Sequence, residues 1–577
     1  MDPSPIALTP PRVPWKQWLF HRVGAWRSRL LLRRFEARAR RARALNLETL
    51  RQIVAANQDT AFGRAHGFAG LDLRRDARAF REAVPVQSYE DLRPYVDRMA
   101  AGEAGVLCAE PVLFFAMSSG TSGQAKLVPT TRSLGRTQEA FYGGLLPGAA
   151  SLLFPGGLDP HRGVLLLSGA PSGRSAPCGL PIDSASTRGV GRVQPIVPLL
   201  WTSPWPAFTV ADHEACWYLH ALFGLRESTT KFLNCTFCPT LVHWLRGIAA
   251  DWPRLVEDIR RGTLSEALRL SPAERQALAP HLVADPARAA QLEAAMAGGV
   301  EGFVPRVWPW MRYVATVITG SFAAYVPALR RYLGPDIPIY STVYVASEAV
   351  MGLNLWPDSP ERFALAAGYA AFEFIPEARM EEERPDTLDL HELVIGQRYE
   401  VVLTNFGGFH RYRLRDVVQV EDFYGESPVI SFCYRRGGLL DLVGERISEE
   451  DAYAAVRSFV ARLPGASLVD YTTARGTDSS PPRHLFYLEL EGAPPVDPAW
   501  ASEALHAAML EHCHSYRDYA VVGGAVGKPE LRLLRPGAFE ALLQRRLAAS
   551  PGSSRNQLKT PRVFHDAEWI GVLEGRC

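Results

Sequence analysis

The chain has 577 residues, 47% of them hydrophobic and 21% charged, with a formal net charge of +2. This is an ordinary globular balance. It is too close to neutral for bulk attraction to nucleic acid, and it is long enough to require two or three domains. The eight cysteines do not read as a disulfide framework in so long a chain, no apolar run reaches the ~18 residues of a membrane span, and the start Met1-Asp2-Pro3-Ser4-Pro5 is no secretory signal, so a cytoplasmic protein is expected.

Residues 1–14 are Pro-rich and read as disordered. Between Arg12 and Arg43 lie eleven lysines and arginines and a single acid, Glu36, with Trp18, Leu19, Trp26, Leu30, Leu31 and Phe35 interleaved. This arginine-rich extension, residues 1–44, reads in two ways. It is an amphipathic helix able to touch a membrane surface or nucleic acid, or a solvated helix packed on the main domain. Residues 35–57 contain strong helix formers and few breakers and predict one helix. Residues 113–116 predict a short apolar strand that runs into a Gly/Ser/Thr loop, and residues 163–206 are loop-rich. Residues 264–297 predict two helices broken near Pro280 and Pro286. Residues 314–318 and 337–344 are β-rich runs. Strands alternating with helices argue for an α/β fold.

Residues 400–404 and 417–420 predict strands of a more antiparallel region. Beyond Arg436 the pattern changes to helix (449–463), strand (484–490), helix (502–516) and helix (539–548). That is a smaller α+β unit, and the boundary is expected at residues 435–438, giving domains 1–435 and 436–577. Cys235 and Cys238 make one CxxC with no second pair at zinc spacing and no redox context, so they read as buried thiols.

Three short motifs carry chemistry. Ser118-Ser119-Gly120-Thr121-Ser122-Gly123-Gln124-Ala125-Lys126 follows a strand. Its glycines allow close backbone approach to an anion, its hydroxyls add donors, and Lys126 supplies a point charge for phosphates. It is not a Walker A loop, since GxxxxGK[ST] is absent. Tyr344-Val345-Ala346-Ser347-Glu348 combines a ring able to stack on a purine, a phosphate-binding hydroxyl and a carboxylate suited to Mg²⁺. Tyr412-Arg413-Leu414-Arg415-Asp416 ends in an acid that can accept bonds from both ribose hydroxyls. Alone, each motif has a plain alternative: a flexible turn, a strand-end Tyr with a surface Glu, or an Asp paired with Arg413 or Arg415.

The order of the three motifs, followed by a domain boundary, resembles the adenylate-forming superfamily of acyl-CoA synthetases, luciferases and adenylation domains. Thr319-Gly320-Ser321 with Tyr325 and Pro327, Gly352-Leu353-Asn354-Leu355, Phe372-Glu373-Phe374-Ile375-Pro376, Thr404-Asn405-Phe406-Gly407-Gly408 and Asn556-Gln557-Leu558-Lys559-Thr560-Pro561-Arg562 narrow the match. Together they resemble the Gretchen Hagen family, the auxin-inducible acyl acid amido synthetases of plants with bacterial relatives. The resemblance runs from about residue 45 to 565. Four features depart from the plant pattern. The phosphate loop is one residue shorter, Leu558 stands where Tyr is usual, Gly444-Glu445-Arg446 looks closer to bacterial members and to acyl-CoA synthetases, and the arginine-rich N-terminal helix is not a feature of the family.

The resemblance implies a large N-terminal adenylate-forming domain with mixed sheets and helices and a smaller mobile α+β C-terminal domain. It implies ATP and Mg²⁺, with a carboxylic acid activated as an acyl-adenylate and then transferred to an amine, an amino acid, to form an amide. Carried over, Ser118, Ser119, Gly120, Thr121, Ser122, Gly123 and Lys126 hold phosphates. Tyr344 stacks on adenine, Ser347 touches phosphate, Glu348 binds Mg²⁺ and Asp416 holds ribose. Arg435 or Arg436 contacts ribose at the hinge, and Lys559 is the catalytic lysine. An acyl pocket is expected among residues 185–210 and 303–345, where Trp201, Trp205, Trp308, Trp310 and Tyr313 lie, with core packing as the alternative. The rival readings are an acyl-CoA ligase sharing the first step and a non-catalytic adenylate-binding protein. No nucleic-acid partner and no transmembrane segment are expected, membrane contact is limited to a weak surface association of the basic helix, and a monomer is anticipated.

Overall fold

The structure is a computed structural model that describes residues 13–118, 126–154, 159–192, 194–436, 440, 442–443, 445, 447–476, 479–522, 525–549, 560–564 and 567–575. Nearly all of the Pro-rich start, residues 119–125 of the phosphate loop, Gly444, Arg446 and the stretch 556–559 fall outside this set.

The large N-terminal part is built on three sheets. One is parallel, ordered Val164–Leu166, Phe232–Phe237, Tyr313–Val317, Ile339–Tyr340. Crossover helices such as His213–Arg226 and Cys238–Ala250 connect its strands. His213–Arg226 is buried almost all round from Ala215 to Leu225, as a helix covered on both sides must be. The second sheet has seven antiparallel strands and includes Arg398–Thr404, Tyr412–Tyr424 and Ser427–Arg435. The third carries the antiparallel pair Val112–Ser118 and Lys126–Thr131, in which Ser118 stands opposite Lys126, so the two residues that bound the Gly/Ser/Thr segment are side by side. Phe115, Val128, Met351, Phe363, Val401 and Val418 share one core between the last two sheets.

The chain beyond Leu440 packs a core of its own, with Val456, Phe459, Phe486, Leu505 and Met509 between two helices and a four-stranded sheet. Its helices start on side-chain caps: the Ser448 hydroxyl accepts from Asp451 N and the Asp497 carboxylate from Trp500 N. Large mixed-sheet and small α+β parts together give the α/β architecture expected from the sequence.

Three expected elements differ. The helix expected over 502–516 is Pro498–His512 and His514–Arg517, parted at extended Cys513. The single helix over 35–57 is two, Trp15–Ala39 and Ala42–Ala56. The break is tertiary: Glu426 N takes the carbonyl of Ala39, and the Glu426 carboxylate accepts from Arg43 N. The β-run over 337–344 is also two strands, because Ile339–Tyr340 completes the parallel sheet while Val343–Val345 edges the antiparallel one. A chain leaving the end of a parallel sheet here is what delivers Tyr344 and Glu348 to the crevice between sheets.

Candidate adenylate site

The strand Val343–Val345 turns through Ala346 to Glu348, closed by the bond from Ala346 N to Ala349 O at 2.9 Å, and returns as Val350–Leu353. Tyr344 points inward, 8% exposed, with Phe363 and Phe432 against its ring. Its hydroxyl donates to Asp416 Oδ2 at 2.8 Å. Asp416 and Arg435 face each other in the register of neighbouring strands, and Arg435 Nε donates to Asp416 Oδ1 at 2.5 Å. A carboxylate has about four acceptor positions. These two bonds therefore leave Asp416 room for further donors. Arg415, just before it, has φ of +67°, and the register shifts between Val417 and Val418, a local kink that aims Asp416 into the crevice.

Glu348 lies beside this pair and is itself buried. Burial raises its carboxyl above the usual range, against the pull of Arg435 and Lys126. The Tyr412 hydroxyl is 3.3 Å from Lys126 Nζ, which also lies over the rings of Tyr89 and Tyr412, and burial together with the nearby Glu348 charge raises the Tyr412 phenol. Burial depresses the Lys126 ammonium, and Glu348 opposes that shift. The bonded pair Lys126–Tyr412 and the bonded trio Tyr344–Asp416–Arg435 thus form one polar cluster, coupled through the charge of Glu348.

Asn405 holds the cluster from behind. Its amide donates to the Glu348 carbonyl at 2.8 Å, and its Oδ1 accepts from Gly407 N and Phe409 N. A Cβ at Gly407 would stand 2.4 Å from the Pro129 carbonyl, so only glycine lets this loop lie against the strand that carries Lys126. Thr131 fixes the same strand by donating to Phe406 O at 2.9 Å.

Ser347 is half-buried on the turn, and its carbonyl accepts from Gln138 at 3.4 Å. Arg436 turns away. It pairs with Glu400 at 2.8 Å and Glu381 at 3.0 Å, in a group that also holds Arg413. The Asp416–Arg413 and Asp416–Arg415 pairings weighed from the sequence are replaced by Asp416–Arg435. Ser119, Gly120, Thr121, Ser122, Gly123 and Lys559 lie outside the described residues, as does the side chain of Ser118. The residues just after Lys559 are described. Thr560 donates to Asp470 Oδ2 at 2.7 Å, and buried Arg562 donates to Asp470 Oδ1 at 2.6 Å and to the Tyr325 hydroxyl at 3.2 Å. Tyr325 ends the short helix Gly320–Tyr325, whose first glycine abuts Phe432.

The residues named for an acyl pocket divide. Trp308 is core: it is fully buried, donates to Gly224 O at 2.8 Å and stacks on Trp244. Tyr313 stacks on Phe154 and Phe232 and opens its strand, at the edge opposite to the end that leads to Gly320. Cys235 and Cys238 are buried, and burial pushes the Cys235 thiol up to about 12, so neither has thiolate character.

Tyr412, Asn405 and Tyr89 complete the cluster and had no role in the reading of the sequence. Tyr412 and Asn405 stand inside quoted motifs, which was the available signal. Tyr89 had none.

Comparison with known proteins agrees over most of the chain. The GH3 family N-terminal domain matches residues 31–339, its central domain 363–435 and its C-terminal domain 450–568. The indole-3-acetic acid-amido synthetase GH3.8 of Oryza sativa subsp. indica is 32% identical, covering 92% of this chain and 90% of that protein. The structure of GH3.15 acyl acid amido synthetase superposes with a TM-score of 0.83 at 27% identity, over 94% of each chain. A 2-hydroxyisobutyryl-CoA ligase in the postadenylation state shares the fold, with a TM-score of 0.51 at 14% identity over 92% of this chain and 91% of that one.

Proposed function

This chain belongs to the GH3 family, and on that premise we propose that the cluster around Glu348 and Asp416 is its adenylation site. The protein is an ATP-dependent acyl acid amido synthetase, which activates a carboxylic acid as an acyl-adenylate and passes the acyl group to the amine of an amino acid. The observation that carries the site assignment is the single polar cluster that joins residues from all three motifs.

In this reading the remaining acceptor positions of Asp416 take the ribose hydroxyls, and Arg435 rather than Arg436 fixes Asp416 for that task. Lys126 and the phosphate loop, Ser118 to Gly123, bind and orient the phosphates. The Tyr344 ring forms a wall for the adenine, and Ser347 offers a hydroxyl to phosphate. The donor set suits a divalent cation, since Glu348 is a buried carboxylate facing the phosphate-binding lysine. Glu348 would hold Mg²⁺, which when bound neutralises phosphate charge.

The acid's carboxylate attacks the α-phosphorus and pyrophosphate leaves; the amine then attacks the acyl carbon and AMP leaves. Lys559 is proposed to meet the charge that develops in the first step, and the anchoring of Thr560 and Arg562 beside Tyr325 supports this. The chain is proposed to divide at Arg435/Arg436, letting the C-terminal domain turn between steps. A cytoplasmic monomer completes the reading; no helix among the described residues is long and apolar enough to cross a membrane.

The test is acid-dependent ATP–pyrophosphate exchange over a panel of aromatic and aliphatic acids, followed by amino acids or coenzyme A as acceptor. Exchange that Glu348→Gln and Asp416→Asn both abolish supports the assignment. Exchange untouched by either substitution would refute it.

A further inference from the structure

The helix Trp15–Ala39 has two faces, and each is committed. The inward face is docked tightly. Ser28 and Phe35 are buried, and a Cβ at Gly148 would stand 2.4 Å from Ser28 Oγ. Gln17 donates to Pro160 O at 2.7 Å, and a His21 ring nitrogen lies 3.1 Å from Leu199 O. The helix therefore cannot roll to hide its other side.

The outward face carries Trp15, Trp18, Leu19, Val23 and Trp26, spaced three or four apart and so on one side of the helix. Trp15 is 69% and Trp26 67% exposed, and three of the four exposed tryptophans of the protein lie here. Arg22, Arg29 and Arg33 recur at the same spacing along the stripe, with Lys16, Arg27 and Arg34 at its margin, all of them exposed. The only acid of the helix, Glu36, is occupied by Arg40 at 2.6 Å.

We propose that this face docks on an anionic lipid bilayer, holding the enzyme at a membrane surface. Indole rings suit the boundary between headgroups and acyl chains, since one end is apolar and the other donates a hydrogen bond. Leucine and valine between them gain from acyl contact. Arginines along and beside the stripe reach anionic headgroups while their stems cover apolar surface. Nucleic acid would use the arginines but leave Leu19 and Val23 unsatisfied, and the near-neutral net charge of +2 adds no wider attraction. A second copy would set two rows of arginines against each other.

The experiment is co-sedimentation of the full chain with vesicles of phosphatidylcholine alone or with roughly one-third phosphatidylglycerol. Binding to the anionic vesicles is expected to exceed binding to the neutral ones by about tenfold or more and to weaken with salt. A Trp15→Ser/Trp18→Ser/Trp26→Ser variant and an Arg22→Gln/Arg29→Gln/Arg33→Gln variant should each lose most of that binding. Both should keep the wild-type melting temperature and pyrophosphate exchange, because every substituted side chain faces solvent. Three results would overturn the proposal: equal partition into both vesicle types, full binding by both variants, or absence of vesicle binding alongside capture of single-stranded DNA or dimerisation through this face.

Discussion

The guanidinium of Arg562 donates to the hydroxyl of Tyr325 at 3.2 Å, joining residues 237 positions apart. One is in the closing segment of the C-terminal core, the other on the turn that abuts Phe432 beside Tyr344. Asp470 neutralises the buried arginine from the C-terminal side. This contact ties the segment after Lys559 to the proposed adenylate crevice. Tyr325→Phe removes one neutral partner, and chemical denaturation should show a loss of no more than about 1 kcal/mol, while pyrophosphate exchange slows. Arg562→Met strands Asp470 in a buried site and should cost about 3–5 kcal/mol.

Arg435 and Arg436, neighbours in the chain, should separate cleanly. Arg435→Met removes the bond to Asp416, and the KM for ATP should rise about tenfold or more. Arg436→Met breaks pairs to Glu400 and Glu381 and should change that KM by less than about threefold, lowering the melting temperature instead. Steady-state kinetics with ATP varied at saturating acid is the measurement. Equal effects on KM would mean that the cross-strand pair at Asp416 is not what orients the nucleotide.

Glu348→Gln keeps shape and removes charge. Pyrophosphate exchange should fall by about two orders of magnitude or more, with the melting temperature unchanged or raised, since burial disfavours that carboxylate. Asn405→Ala should act on the same step more weakly, by loosening the Glu348 backbone, with kcat affected more than KM.

Gly407→Ala tests the packing beneath the site. The added methyl would press on the Pro129 carbonyl at 2.4 Å, with no flexible side-chain end to yield. A loss of about 1–3 kcal/mol is expected, together with weaker ATP binding through displacement of the Lys126 strand.

Two buried histidines set an acid limit on stability. His220 lies between Ser203 Oγ at 2.8 Å and the Leu167 carbonyl at 3.1 Å, and His410 meets the Leu107 carbonyl at 3.0 Å. Burial lowers each from 6.5 to about 4. The unfolded chain therefore binds more protons than the folded one between those values. Stability is full above pH 6.5 and is lost as pH falls toward about 4, by up to ~1.4 kcal/mol per pH unit for each histidine. Melting temperatures from pH 7.5 down to 5 should drop, and His410→Gln should flatten the slope. An unchanged slope would show that His410 does not contribute.

The sequence by itself determined the family and the order of its motifs. Glycines and hydroxyls before Lys126, the Tyr344 to Glu348 run and the Tyr412 to Asp416 run are local patterns, each legible because its role depends on residue type and short spacing. Alternation and helix formers likewise disclosed some of the strands and helices to within a few residues. Tertiary structure decided what local pattern cannot encode. It ended the first helix at Ala39 through Glu426, divided 337–344 between two sheets, and placed Trp308 in the core. It chose Arg435 over Arg436 for Asp416 through cross-strand register, where adjacent residues point to opposite faces. It recruited Tyr89, which bonds the backbone of Leu127 beside Lys126, from a helix with no motif at all. It also left three tryptophans of the N-terminal helix in solvent, because the opposite face of that helix is the one that fits the cleft beside Gly148.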